Sequence, residues 1–106
     1  MNNNPVILKS SSKQTISGLI EYKLFENYPN PFNPTTTIRF QIAVDGFVNL
    51  EVFDVLGRKI KTLTNEVRST GSYDIEFDAK KLTSGIYFYK LQTKDFVATK
   101  KMLLLR

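Results

Sequence analysis

From Thr36 onward, apolar and polar residues alternate with a period of two. Thr36 to Ile42 sets Ile38, Phe40 and Ile42 on one face and Thr37, Arg39 and Gln41 on the other. Phe47 to Phe53 opposes Val48, Leu50 and Val52 to Asn49 and Glu51, and Ser72 to Phe77 opposes Tyr73, Ile75 and Phe77 to Asp74 and Glu76. Successive side chains of a strand point to opposite faces, so this pattern predicts half-buried strands. Lys59 to Leu63 is expected to form a short strand around Ile60. Ile86 to Gln92 and Phe96 to Leu105 are apolar on both faces in places. Turn residues separate the runs at Asp45-Gly46, Asp54 to Gly57, Thr70-Gly71, Thr83-Ser84-Gly85 and Lys94-Asp95. No long stretch carries the 3.6-residue period of a helix. Short strands with regularly spaced turns predict an all-β fold, an antiparallel β-sandwich or barrel. Its core should hold Ile38, Phe40, Val48, Leu50, Val52, Tyr73, Ile75, Phe77, Tyr87 and Leu91.

The N-terminal part breaks this rhythm. Met1 to about Gly18 is rich in Asn, Ser, Lys and Thr and has no sustained period. Residues 1–23 are expected to be a linker or the end of an upstream region, with at most a weak strand at Pro5 to Lys9. Residues 24–106 are expected to form one domain, in keeping with a chain of 106 residues. Tyr28 to Pro34 carries three prolines in seven residues. Proline fixes its own φ and disfavours helix in the residue before it, so this segment should be an ordered loop anchored by Tyr28 and Phe32.

Composition narrows the chemistry. The chain has no Cys and no His. Disulfides, thiolate metal sites and Ser-His-Asp or Cys-His catalysis are therefore excluded. No cofactor or metal is expected. Asp74, Glu76 and Asp78 share one strand face, which suits a solvated surface better than the paired carboxylates of a glycosidase. Net charge is +5, but the basic residues are dispersed apart from Lys80-Lys81 and Lys100-Lys101. Solvated strand faces explain this better than nucleic-acid binding. No apolar run approaches membrane-spanning length. Met1 to Leu8 does not read as a signal peptide; read as a complete protein the chain is expected in the cytoplasm, and read as a piece of one its location is set by whatever precedes it.

Four segments in order resemble a known family. They are Asn27-Tyr-Pro-Asn-Pro-Phe-Asn-Pro-Thr-Thr-Thr-Ile-Arg-Phe40, Val52-Phe-Asp-Val-Leu-Gly-Arg58, Leu82-Thr-Ser-Gly-Ile-Tyr-Phe-Tyr-Lys-Leu91 and Lys100-Lys-Met-Leu-Leu-Leu-Arg106. The arrangement is similar to the type A C-terminal sorting domain of the type IX (Por) secretion system of Bacteroidetes-like bacteria. The resemblance runs from Leu24 to Arg106. It implies an immunoglobulin-like sandwich of about seven strands, fused behind a larger cargo. It implies a non-catalytic secretion address, read by the outer-membrane type IX translocon after passage through the periplasm. A sortase-like C-terminal signal peptidase would then remove it, leaving cargo at the cell surface or in the medium. The positions that match the family are Asn30, Pro31, Phe32, Asn33 and Pro34, then Asp54, Gly57 and Arg58, then Gly85 and Tyr87, and finally Lys101 and Arg106.

Each of these positions also has a physical reading. Asp54-Val55-Leu56-Gly57 suits a type I turn whose Asp accepts local backbone N–H groups, with Arg58 pairing to Asp54 or meeting the translocon. Gly85 should need a positive φ or a close backbone approach. Tyr87 suits a tyrosine corner, with Tyr87, Tyr89 and Leu91 facing inward. Ile86 and Phe88 then face outward, as a contact patch or beneath the N-terminal segment. Lys100, Lys101 and Arg106 are expected to form a cationic contact for the translocon at little structural cost. Two other functions fit the same fold: a carbohydrate- or surface-binding module using Tyr22, Phe25, Tyr28 and Phe47, and a structural cap or spacer like the similar sandwich of the flagellar hook-capping protein.

Overall fold

A computed structural model describes residues 20–106. The weak strand expected at Pro5 to Lys9 lies outside the described residues. Seven strands follow in order: β1 (Lys23–Leu24), β2 (Thr35–Ile42), β3 (Gly46–Phe53), β4 (Lys59–Arg68), β5 (Gly71–Asp78), β6 (Gly85–Gln92) and β7 (Val97–Leu104). They form two antiparallel sheets, one ordered β1-β2-β5 and the other β4-β3-β6-β7. The fourth strand thus joins the third, sixth and seventh, whereas in constant-type immunoglobulin domains it joins the sheet of the first, second and fifth.

The period-two faces meet between the sheets. Ile38, Phe40 and Ile42 of β2 lie opposite Val48, Leu50 and Val52 of β3, all fully buried. Phe77, Tyr87, Tyr89 and Leu91 complete this layer, with Met102 and Leu104 from β7. Burying one such side chain contributes about 1.5–3 kcal/mol. Tyr73 and Ile75 pack against the core but stay half-buried, because β5 is the outer strand of its sheet. Tyr22 stacks on Phe96 at 5.3 Å between ring centroids, and Lys23 pairs with Gln41, so packed structure begins ahead of Leu24.

β4 differs most from the pattern. It runs to Arg68 instead of stopping near Leu63. Opposite β3 its register slips twice, leaving Ile60 and Leu63 without partners in the ladder. Such bulges break the alternation. From Thr64 to Arg68 the ladder is regular, but β4 is an outer strand whose one buried residue is Thr64, with Ile60 and Val67 exposed, so it presents no apolar face to a period-two reading.

Candidate functional site

The β3–β4 turn is built around Asp54. The Gly57 N–H donates to the Asp54 carbonyl at 3.0 Å, and the Asp54 N–H to the Arg58 carbonyl at 3.0 Å. Gly57 has φ of +81°. This is a three-residue hairpin loop with glycine at the left-handed position. The Asp54 carboxylate accepts the Leu56 and Arg58 N–H groups, each at 2.9 Å, and Arg58 Nε at 2.7 Å. These donors, the Arg58 N–H foremost, hold its carboxyl below the usual range against the opposing pull of burial. Arg58 therefore braces its own turn, while its side chain remains largely exposed.

The crossing from β5 to β6 is organised by Gly85, Tyr87 and Arg106. Gly85 has φ of +149°, and a Cβ there would meet nothing within 4 Å, so backbone conformation and not close approach requires glycine. Tyr87 Oη donates to the Thr83 carbonyl at 2.8 Å, which is a tyrosine corner. The Arg106 guanidinium closes over the same loop. Its Nη1 lies 2.6 Å from the Lys80 carbonyl, 2.8 Å from that of Leu82 and 3.3 Å from that of Ala79. The Arg106 N–H donates to Ser84 Oγ at 2.9 Å.

The Pro-rich loop laces the two sheets together. Tyr28 bridges Thr37 of β2, while Phe32 bridges Leu104 of β7. The Phe32 N–H donates to the Leu103 carbonyl, and the Leu105 N–H to the Phe32 carbonyl, both at 3.0 Å. Asn30 Oδ1 accepts the Leu103 N–H at 3.0 Å, and the Pro34 carbonyl accepts the Ala79 N–H at 2.8 Å. Phe32 is buried beside Phe77. Pro31 and Asn33 face solvent. Two residues missed in the sequence complete the loop. Buried Asn27 donates through Nδ2 to Thr36 Oγ1 at 3.0 Å and to the Pro29 carbonyl at 3.2 Å, and Thr36 Oγ1 donates to the same carbonyl at 2.8 Å. Their polarity concealed their burial. Proline supplies no N–H, and here the Pro29 carbonyl is met by these two side chains while the Tyr28, Phe32 and Pro34 carbonyls accept backbone N–H groups.

The basic residues expected to act together are divided. Lys100 and Lys101 are neighbours on β7 and so point to opposite faces. Lys100 approaches Glu26 at 3.5 Å, Lys101 is exposed opposite Phe88, and Arg106 is engaged with the β5–β6 loop. Arg106 is therefore not a costless surface charge, because the Lys80 and Leu82 carbonyls take its guanidinium as partner, whereas the Ala79 carbonyl also accepts the Leu82 N–H. The four aromatics of a carbohydrate platform are also dispersed. Tyr22 stacks on Phe96, Phe25 and Tyr28 share a groove with Arg39 and Asp74, and Phe47 lies on the other sheet. Asp74 is spent on a bidentate pair with Arg39 at 2.7 and 3.0 Å.

Ile86 and Phe88 are half-buried on the outer face of the four-stranded sheet, and no described residue from the N-terminal side covers them. Among the described residues this arrangement holds a folded body together at its turns and leaves grooves between them.

No curated protein matches the chain. The family model described as the secretion system C-terminal sorting domain matches residues 26–105, from the Pro-rich loop to the end of β7. The chain therefore belongs to the secretion system C-terminal sorting domain family, and it is a non-catalytic sorting signal for type IX secretion.

Proposed function

We propose that the outer-membrane type IX translocon reads this domain as a folded body, and that the domain is of the type A class. A sorting domain of this family implies a fused cargo, the type IX machinery and delivery to the surface or medium. The finer reading is that cargo passes through the periplasm and that a sortase-like C-terminal signal peptidase then detaches it. The expected sorting unit of residues 24–106 is extended here to include Tyr22 and Lys23, which pack on it. The observation that carries this is the coincidence of the family match with the packed sandwich: both span the Pro-rich loop through β7. Recognition of a folded domain accounts for why so many of the family-like positions maintain turns. Asn30, Phe32, Pro34, Asp54, Gly57, Gly85 and Tyr87 all serve backbone geometry or packing. Arg58, Lys100, Lys101 and Arg106 remain the proposed cationic contacts, with Arg58 and Lys101 the most available.

The test is export of a passive reporter fused behind a signal peptide and ahead of the full chain, in a competent type IX host. The expected result is reporter outside the cell. Retention of the unaltered fusion in the periplasm would refute the reading.

A further inference from the structure

Around the Asp54–Gly57 turn the surface is more apolar than the fold needs. Val55 and Leu56 are 62% and 73% exposed at the tip. One groove beside them is walled by Phe53, Phe88 and the stem of Lys90. A second, on the other side of the turn, is walled by Ile60, Leu82 and Ile86. Ile60 and Leu82 continue into a third hollow over Phe77, flanked by Lys61 and Lys81. The grooves share residues and form one belt around the turn. Nearby carboxylates are already engaged: Asp54 with its own turn and Arg58, Glu51 with Lys59, and Asp78 with the Lys80 N–H. Lys61, Lys81 and Lys101 form no ion pair among the described residues.

We propose that this belt is the docking surface of the sorting domain, and that its occupant is a protein segment of the secretion machinery bearing apolar side chains flanked by carboxylates. This rests on the sorting function proposed above. Charge complementarity selects the occupant. Residues 1–19 contain Lys9 and Lys13 and no carboxylate, so they carry the wrong sign. A second copy of the chain would bring the same lysines to a surface already positive. A flat anionic bilayer could take Val55 and Leu56 at the tip but would leave the walls of both grooves unfilled. An acidic, apolar segment fills the grooves and neutralises the rim.

The test uses the same reporter fused ahead of the full chain. Val55→Asp combined with Leu56→Asp should lower extracellular reporter by roughly tenfold or more, the scale of losing contacts at an interface centre. The melting curve should be unchanged, since both side chains are exposed. Val67→Asp, equally exposed at the far end of β4, should leave export normal. Lys61→Glu with Lys81→Glu should reproduce the loss, and Lys61→Arg with Lys81→Arg should restore export. Normal export of either the Asp pair or the Glu pair overturns the proposal. So does binding of the purified chain to phosphatidylglycerol vesicles that the Asp pair abolishes, since a lipid surface would then be the occupant. Failure of the sorting reading is distinguishable, because the unaltered fusion would already be retained.

Discussion

Two of the chain's crossings between sheets use the same local device. Ser69-Thr-Gly-Ser-Tyr73 carries it from β4 to β5, and Thr83-Ser-Gly-Ile-Tyr87 carries it from β5 to β6. Each has a glycine at positive φ, +146° at Gly71 and +149° at Gly85. In each, a tyrosine hydroxyl donates to the carbonyl four residues back, at 2.6 Å from Tyr73 and 2.8 Å from Tyr87. Their surroundings differ. Tyr87 begins an inner strand and is 6% exposed, and Arg106 covers its loop. Tyr73 begins an outer strand, lies half-open against Phe40 and is covered by Arg68, 4.7 Å above its ring. The same five-residue pattern sets the same backbone in both places. What it contributes depends on the depth of the strand it starts.

Truncating the rings should separate the two crossings most. Tyr87→Ala is expected to cost about 3–5 kcal/mol, as for a buried aromatic, and Tyr73→Ala roughly half of that. Chemical denaturation of both variants measures the gap, and equal losses would break the comparison. Gly85→Val and Gly71→Val should instead cost about the same, roughly 1–3 kcal/mol each, because strain at positive φ is a local quantity. Removing only the hydroxyls probes the shared hydrogen bond. Tyr87→Phe should lower stability by about 1–2 kcal/mol and Tyr73→Phe by about 0.5–1, since water replaces the lost donor more easily at the outer strand. Arg106→Ala should cost about 1 kcal/mol through the uncovered carbonyls, whereas Lys101→Ala should fall within about 0.5 kcal/mol of zero. Thermal melts distinguish these two.

Acid response gives the smallest effect. Asp54 is held below the usual carboxylate range chiefly by the Arg58 N–H, and Asp74 by the Arg39 guanidinium. A depressed folded-state pKa means that the unfolded chain takes up protons first as pH falls. The stabilisation is therefore present above the ordinary carboxylate pKa of about 4 and is lost as pH falls through the lower folded values. Melting midpoints measured from about pH 5 to about pH 2 should decline less steeply in Asp54→Asn and Asp74→Asn than in the parent. An unchanged slope in both would show that neither carboxylate is coupled to folding.

The sequence alone determined the strands whose faces alternate cleanly. β2, β3 and β5 were legible because one face meets the core and the other meets water, and period two records that difference directly. The Asp54 turn and the tyrosine corner at Tyr87 were legible for a related reason: each is closed by residues within five positions of one another. The second corner, at Tyr73, had the same spacing and could have been found by comparing Ser69–Tyr73 with Thr83–Tyr87. Tertiary structure decided the rest. β4's full length was hidden because its stretch past Leu63 lies at the edge of the sheet, where its one buried side chain is the polar Thr64 and Val67 faces water. Asn27 and Thr36 are polar in sequence and buried in the fold, since they bond to each other and to the Pro29 carbonyl. Arg106 resembled Lys100 and Lys101 as a terminal cation. Its distinct role comes from a loop more than twenty residues earlier, brought beneath its guanidinium by the pairing of β6 with β7. Local patterns report whether a residue faces core or water, and which distant backbone groups await a partner is settled only when the sheets close on each other.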